Sequence, residues 1–466
     1  MSMNTNRVAI AQPLLTVALC LFCVCGAPLT WAEDPNAIKA LKRENTDLRR
    51  RVEKLESALQ QIQSKPKAQP GRESSDEIVD RAVDRVVAHL KAEEEKEKPP
   101  VRSRFPIDLY GYIKLDASYD TARTSVGNYA RWVESEELTT HDDQFNMTAR
   151  QSRFGLNFHG PESESMKVGG KVEVDFYGGG AENKNLPMMR HGYLEVNWPG
   201  CDLSLLAGQT SDLVSPLLPP TLNYTVLWWA GNYGYRRPQI RLTKGIDLGD
   251  STLLLQTALA RPIGHTPFLT GPGDTGTDSG FPHLQARAAY SFPLLTKKPT
   301  TLGISGHWGK EEWDEPDPWD PSTRNNGRNY DTWSICADAT VPLHEKIALK
   351  GEVWTGEIMQ AYLGGIAQGV NVPCRRPIAS TGGWGNVAFG PFDKWNFNVG
   401  AGIDDPKDYD LNLHDRVSNQ TVFGNVLYDV NQALRVGFEL SHWDTTYRYT
   451  EDGESWRFQT SLVYRF

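Results

Sequence analysis

Residues 107–120 read Ile-Asp-Leu-Tyr-Gly-Tyr-Ile-Lys-Leu-Asp-Ala-Ser-Tyr-Asp. One set of alternating positions holds Ile107, Leu109, Gly111, Ile113, Leu115, Ala117 and Tyr119. The other holds Asp108, Tyr110, Tyr112, Lys114, Asp116, Ser118 and Asp120. Successive side chains of a strand point to opposite faces, so this stretch has one oily face and one ionic face. Strands of soluble sheets usually run to about five or six residues. A tilted strand crossing a bilayer needs about 9–11 residues plus its rims. The stretch is therefore expected to be the first stave of a membrane barrel, with lipid outside and water inside.

Outward from it, the chain after Phe105 parses into sixteen strand segments, at 107–120, 144–159, 167–177, 188–198, 201–211, 233–244, 250–261, 282–292, 300–310, 330–342, 346–357, 377–390, 394–405, 416–429, 433–446 and 455–466. Every second connection is long, as at 121–143, 212–232, 262–281, 311–329 and 358–376, while those between are tight, as at Pro199-Gly200 or Asn431-Gln432. Outer-membrane barrels have this asymmetry, with short periplasmic turns and long outer loops. A soluble sandwich has no reason to lengthen alternate connections. The last segment sets Trp456, Phe458, Leu462, Tyr464 and Phe466 against Arg457, Gln459, Ser461 and Arg465, and ends on an aromatic residue. Two places break the alternation. Arg150 and Arg153 cannot share a face without a bulge, and Arg190 is in phase with Leu194 and Val196, so bulges or rim positions are expected there. A different cut of 188–211 would give eighteen strands.

The 466 residues carry a formal charge of −9, and no run of 18 apolar residues follows residue 32, which excludes membrane-spanning helices. The 14 Trp and 17 Tyr suit aromatic girdles at both interfaces. Residues 1–32 read as a secretory signal, with Arg7, an apolar run from Leu14 to Val24, and Thr30-Trp31-Ala32 before the cut. Cys201, Cys336 and Cys374 show neither a disulfide framework nor zinc spacing. Over 33–65 the seam residues Ile38, Leu41, Asn45, Leu48, Val52, Leu55, Leu59 and Ile62 alternate spacings of three and four, the signature of a coiled coil. Asn45 at a core position costs stability and fixes alignment between chains. Residues 66–104 read as a linker containing a short amphipathic helix at Asp76–Leu90. The expected fold class is thus an all-β membrane protein: a 16-stranded antiparallel transmembrane β-barrel over 105–466, preceded by an N-terminal α-helical coiled coil.

This layout resembles the DcaP-like trimeric outer-membrane porins. The residues that carry the likeness are Leu109-Tyr110-Gly111-Tyr112-Ile113-Lys114-Leu115-Asp116, Ala149-Arg150-Gln151-Ser152-Arg153-Phe154-Gly155, Ala207-Gly208-Gln209-Thr210, Arg236-Arg237-Pro238-Gln239-Ile240-Arg241 and Gly351-Glu352-Val353-Trp354-Thr355-Gly356-Glu357. The pieces are short, and their order along the chain is the stronger sign. The same cues are similar to the phosphate-selective porins, but no dense basic ladder commits the chain to phosphate. The resemblance implies a homotrimer in the outer membrane, a periplasmic coiled coil that trimerises it, and pores for small, often anionic solutes such as dicarboxylates.

By the alternation, the lumen charges are Lys114, Arg153, Lys171, Arg237, Arg241, Arg287, Lys350 and Arg435, faced by Asp116, Glu173, Asp175, Glu195, Glu352 and Glu439. Rings of charge select ions by sign and spacing, and the arginine fork takes both oxygens of a carboxylate. The plainer account is that these groups pair with one another and stiffen the wall. The apolar connection Asp212 to Asn232 is expected to form a constriction or to pack on a neighbouring subunit. No cofactor and no metal is expected; the run Asp404, Asp405, Asp408 and Asp410 reads as a solvated loop before a cation site. An enzyme built on Glu173/Asp175 or a Ser–His set has no nucleophile motif to frame it. A second functional reading makes the protein an envelope tether, with the coiled coil gripping cell wall. Nucleic-acid binding has no support, since no basic patch with interleaved aromatics occurs.

Overall fold

The computed structural model describes residues 105–139, 142–180, 184–263, 276–313 and 328–466. The expected signal, coiled coil and linker at 1–104 lie outside the described residues. From Ile107 onward the alternation is realised strand by strand. In chain order the strands are β1 Ile107–Asp120, β2 Gln144–Thr148, β3 Arg153–Glu162, β4 Lys167–Asp175, β5 Met188–Trp198, β6 Leu203–Ser211, β7 Arg236–Asp247, β8 Thr252–Ala260, β9 His283–Pro293 and β10 Pro299–Trp313. There follow β11 Arg328–His344, β12 Ile347–Glu357, a small hairpin of β13 Val370–Asn371 and β14 Arg376–Pro377, β15 Ala379–Phe392, β16 Trp395–Pro406, β17 Arg416–Asp429, β18 Leu434–Tyr447 and β19 Gly453–Arg465.

Each strand pairs antiparallel with its sequence neighbours, and β1 closes the sheet on β19 from Tyr112 opposite Arg465 to Asp120 opposite Arg457. β2 and β3 both pair with the other edge of β1 and together form one stave, so the barrel has sixteen. Closure leaves no edge of unpaired amides, which hydrocarbon would make expensive. Among the described residues no helix is long and apolar enough to cross a membrane.

The two faces separate as the sequence pattern requires. Leu109 and Val353 are 63% and 64% exposed on the outside, whereas Lys114, Asp116, Ser118 and Glu352 are buried inside. Aromatic residues sit at both ends: Tyr119, Trp456 and Phe458 at one, and Phe392, Trp395, Phe397 and Tyr428 at the other. Both irregularities are bulges. Residues 149–152 leave the ladder between β2 and β3, and Ser152 Oγ fills the gap by accepting the Lys114 N–H (3.0 Å) and donating to its carbonyl (3.3 Å). Between β4 and β5 the register slips at Glu173/Val174, which turns Arg190 from the lipid side to the interior.

Strand bounds differ from the sequence parse chiefly at β7, which starts at Arg236 and not at 233. Tyr233 and Gly234 belong to a connection inside the barrel. Gly234 takes φ +97° and gives its N–H to the Tyr362 carbonyl (2.6 Å), while Tyr233 hydroxyl meets Ser334 Oγ (3.2 Å).

Candidate functional site

Two outer connections fold into the barrel. The first runs between β6 and β7, and its ends are clasped: Asp212 N–H donates to Tyr235 O and Tyr235 N–H to Asp212 Oδ2, both at 2.9 Å. Its apolar residues Leu213, Val214, Leu227, Trp228 and Trp229 are buried. They lie against the barrel's own wall, so this connection needs no neighbouring subunit to cover them. Glu352 on β12 accepts from Ser215 Oγ (2.5 Å), Leu217 N (2.8 Å) and Trp384 Nε1 (2.9 Å). Glu439 on β18 accepts from Leu222 N (2.6 Å), Asn223 N (3.3 Å) and Asn425 Nδ2 (3.0 Å). Trp354 Nε1 donates to Gly231 O (2.8 Å). Small residues let the backbones meet: a Cβ on Gly402 would lie 2.2 Å from Ala230 O. The second connection, between β12 and β15, sends its residues 359–366 into the interior, where Leu363 O accepts from Trp229 N (2.9 Å).

Arg237 pins that second connection to the wall. Fully buried, it pairs with Asp212 (2.8 Å), donates to Ala361 O (3.0 Å) and stacks on Tyr362 (3.8 Å). His283 Nδ1 meets Tyr362 hydroxyl at 2.9 Å, and His307 stacks on the same ring at 3.9 Å while its Nδ1 meets Ser334 Oγ at 2.6 Å. That Ser–His contact is buried under Tyr362 and reads as an anchor.

The remaining predicted charges are distributed as follows. Glu173 is a hub for Tyr110 hydroxyl (2.7 Å), Arg190 Nε (3.2 Å), Arg153 (3.3 Å) and His191 (3.8 Å). Asp175 is closed by Arg190 at 2.5 Å. Lys114 pairs with Asp116 (3.2 Å) and donates to Gln151 and Leu222 O, and Asp116 also takes the Ser461 hydroxyl. Arg287 pairs with Asp338 (2.7 Å), and Arg435 takes both oxygens of Asp429 (2.6 and 2.7 Å) at the mouth opposite the long loops. By contrast Lys171 lies over the Tyr110 ring (4.9 Å), Arg241 donates to Gln239 and Ser211 O, and Lys350 faces Thr340 and Asn386. None of these three meets a carboxylate within 4 Å among the described residues. The acidic run is split up. Asp404 is buried on the inner face, accepting from Ser380 Oγ (2.7 Å) and Ile366 N (3.3 Å), and Asp410 is buried as well, so it is not a solvated loop.

Residues 38–255 match the sequence model of the DcaP outer membrane protein family. The chain is DcaP-like. The DcaP channel of Acinetobacter baumannii, known from its crystal structure, has a TM-score of 0.62 at 17% identity, covering 78% of this chain and 99% of that one. An anion-selective porin from Comamonas acidovorans gives 0.50 at 11% identity, with 78% and 99% covered. The trimer form of OmpT from Vibrio cholerae gives 0.50 at 12%, with 78% and 100% covered. Among curated proteins none matches. The family match and the shared barrel make this DcaP-like chain an outer-membrane porin, and the proteins it resembles are channels.

Four interior arginines escaped the alternation. Arg457 binds Asp120 through Nη1 (2.9 and 2.7 Å) on the predicted last strand, in an ion pair that sequence does not specify. Arg190 was hidden by its bulge. Arg150, in the 149–152 bulge, donates to Gly179 and Gly180 carbonyls. Arg236 is 5% exposed, lies over Tyr235 (4.7 Å) and Trp228 (5.7 Å), and meets no carboxylate within 4 Å among the described residues. No period in the sequence marks residues that a bulge or a strand end turns inward.

Proposed function

We propose that this porin is a passive channel for small hydrophilic solutes that favours anions, dicarboxylates among them, and that it works as a homotrimer. One observation carries the selectivity. With the first connection laid against β12, β15, β16, β17 and β18, the half-buried inner wall that remains belongs to β1 and to β3 through β8. On that wall Glu173 and Asp175 are consumed by Arg190 and Arg153, while Lys171, Arg236 and Arg241 have no carboxylate within 4 Å among the described residues; Glu195, exposed on β5, is the carboxylate left over. Unpaired cations in a narrow, water-filled bore concentrate anions. The anion selectivity printed for the Comamonas protein and the trimer form of OmpT agree with this reading.

Reversal potentials across planar bilayers in a salt gradient test it. The wild type is expected to prefer chloride over potassium, and Lys171→Ala with Arg241→Ala to move the reversal potential toward zero. Cation preference in the wild type would overturn the reading. Liposome swelling with matched mono- and dicarboxylates and sugars then ranks the solutes.

A further inference from the structure

Two more arginines stand at the outer rim, away from the wall just described. Arg131 lies in the long connection after β1, and Arg416 opens β17. Both guanidinium carbons sit 4.2 Å from the centroid of the Trp132 ring, so they are at most twice that distance apart. Arg131 also lies 5.4 Å from the Trp229 ring. Each Nε spends its N–H on a neutral acceptor at 3.1 Å, Ser125 Oγ for Arg131 and Ile366 O for Arg416. Neither meets a carboxylate within 4 Å among the described residues; Glu134 and Asp415 act on them only from farther away. Between them Trp132, 7% exposed, has its Nε1–H buried without an acceptor.

How these cations are held decides what they can do. A carboxylate that fixes an arginine also cancels its charge. An aromatic face fixes it through the ring quadrupole and leaves the charge in place. Arginine keeps its proton even when burial opposes it, and its unspent N–H donors form a fork for oxygen pairs. The backbone is clamped as well: Asn419 Nδ2 donates to Arg131 O (2.7 Å), while Gln368 takes the Arg416 N–H (2.7 Å) and returns a bond to its carbonyl (2.8 Å). Little ordering is left to be done on binding.

We propose that Arg131, Arg416 and Trp132 form a capture site for divalent oxyanions at the outer mouth of the pore. The inference rests on the anion reading above but places a binding step before the passage, in residues that the wall does not include. Two uncancelled charges within one ring's width favour an anion of charge two over one of charge one, and two forks suit a group with several oxygens.

The test uses the full-length protein in planar bilayers, with sulfate added to each side in turn against a constant chloride background. Outer-side sulfate is expected to reduce conductance saturably, and acetate at equal ionic strength to do so far less. Arg131→Gln with Arg416→Gln should raise the half-blocking sulfate concentration by about tenfold, the factor that roughly 1.4 kcal/mol of lost binding gives, with the reversal potential in chloride unmoved. Arg131→Lys with Arg416→Lys keeps both charges and most of the bulk, so it serves if the Gln pair fails to assemble; lacking the forks, it should also block more weakly than wild type. Equal sulfate block in wild type and either variant overturns the capture site, and so does block from the inner side alone or equal block by acetate. An adverse result of that kind, with chloride preference intact, sinks this site only; absence of chloride preference sinks the anion reading itself.

Discussion

At the scale of single residues, the interior of this barrel shows two fates for a charge. Glu352 was expected to line the lumen as one of its selecting charges. It does face inward, yet it is 2% exposed and serves as acceptor for three donors, two of them on the folded-in connection. Glu439 does the same for Leu222 and Asn223. Both carboxylates hold the constriction and do not meet solute. Glu352→Ala would leave Ser215 Oγ, Leu217 N and Trp384 Nε1 buried without their acceptor, at a cost of about 1–3 kcal/mol for each unmet group. The expected outcome is a channel that inserts normally but shows frequent conductance steps as residues 213–231 come loose. A trace as quiet as wild type would show that the anchor is dispensable.

At the scale of elements, the strands were legible in the sequence and the interior connections were not. Alternation located the strands because each must keep one face in hydrocarbon and one in water over its whole length. Even the two failures of the pattern, at Arg150 and Arg190, pointed to real bulges. The connection after β6 has no such period. Its Pro216, Pro219, Pro220 and buried Trp228 and Trp229 signalled that it could not sit in water, but not which surface covers it. Likewise Arg131 and Arg416 are joined only by Trp132 in space, and nothing along the chain pairs them. The clasped ends of this connection make a clean experiment possible. Since Asp212 and Tyr235 already touch, residues 213–233 can be replaced by a two-glycine link without straining β6 or β7. Sixteen-stranded barrels left open enclose an aqueous channel, so conductance should rise, by roughly twofold or more. The discrimination among solutes by size should fall with it. If conductance stays the same, the narrowest point lies elsewhere, and the connection between β12 and β15 becomes the element to remove.

For the whole molecule, closure is the fact with the widest consequences. The nine-residue pairing of β1 with β19, from Tyr112–Arg465 to Asp120–Arg457, joins the first strand to the last. The Arg457–Asp120 ion pair, 1% and 0% exposed, seals that seam from within, where each ion's desolvation is offset by two-oxygen contact and by Ser118 Oγ at 2.9 Å. No strand of the barrel borrows its hydrogen bonds from residues before Phe105. The heptads at 38–62 therefore have a different task if they have any, and the proposed trimer gives them one: aligning three chains through Asn45. Deleting Ile38–Ile62 is expected to leave strand content by circular dichroism and unit conductance unchanged, because the barrel closes on itself. Crosslinking of the detergent-solubilised protein should then yield fewer trimers than wild type. Should the deletion leave the trimer yield intact while the protein detaches from the cell wall in whole-envelope fractionation, the rod is a tether and the barrels associate through their own outer faces. Loss of conductance on deletion would instead mean that assembly of the bore depends on the rod, against what the closed register leads one to expect.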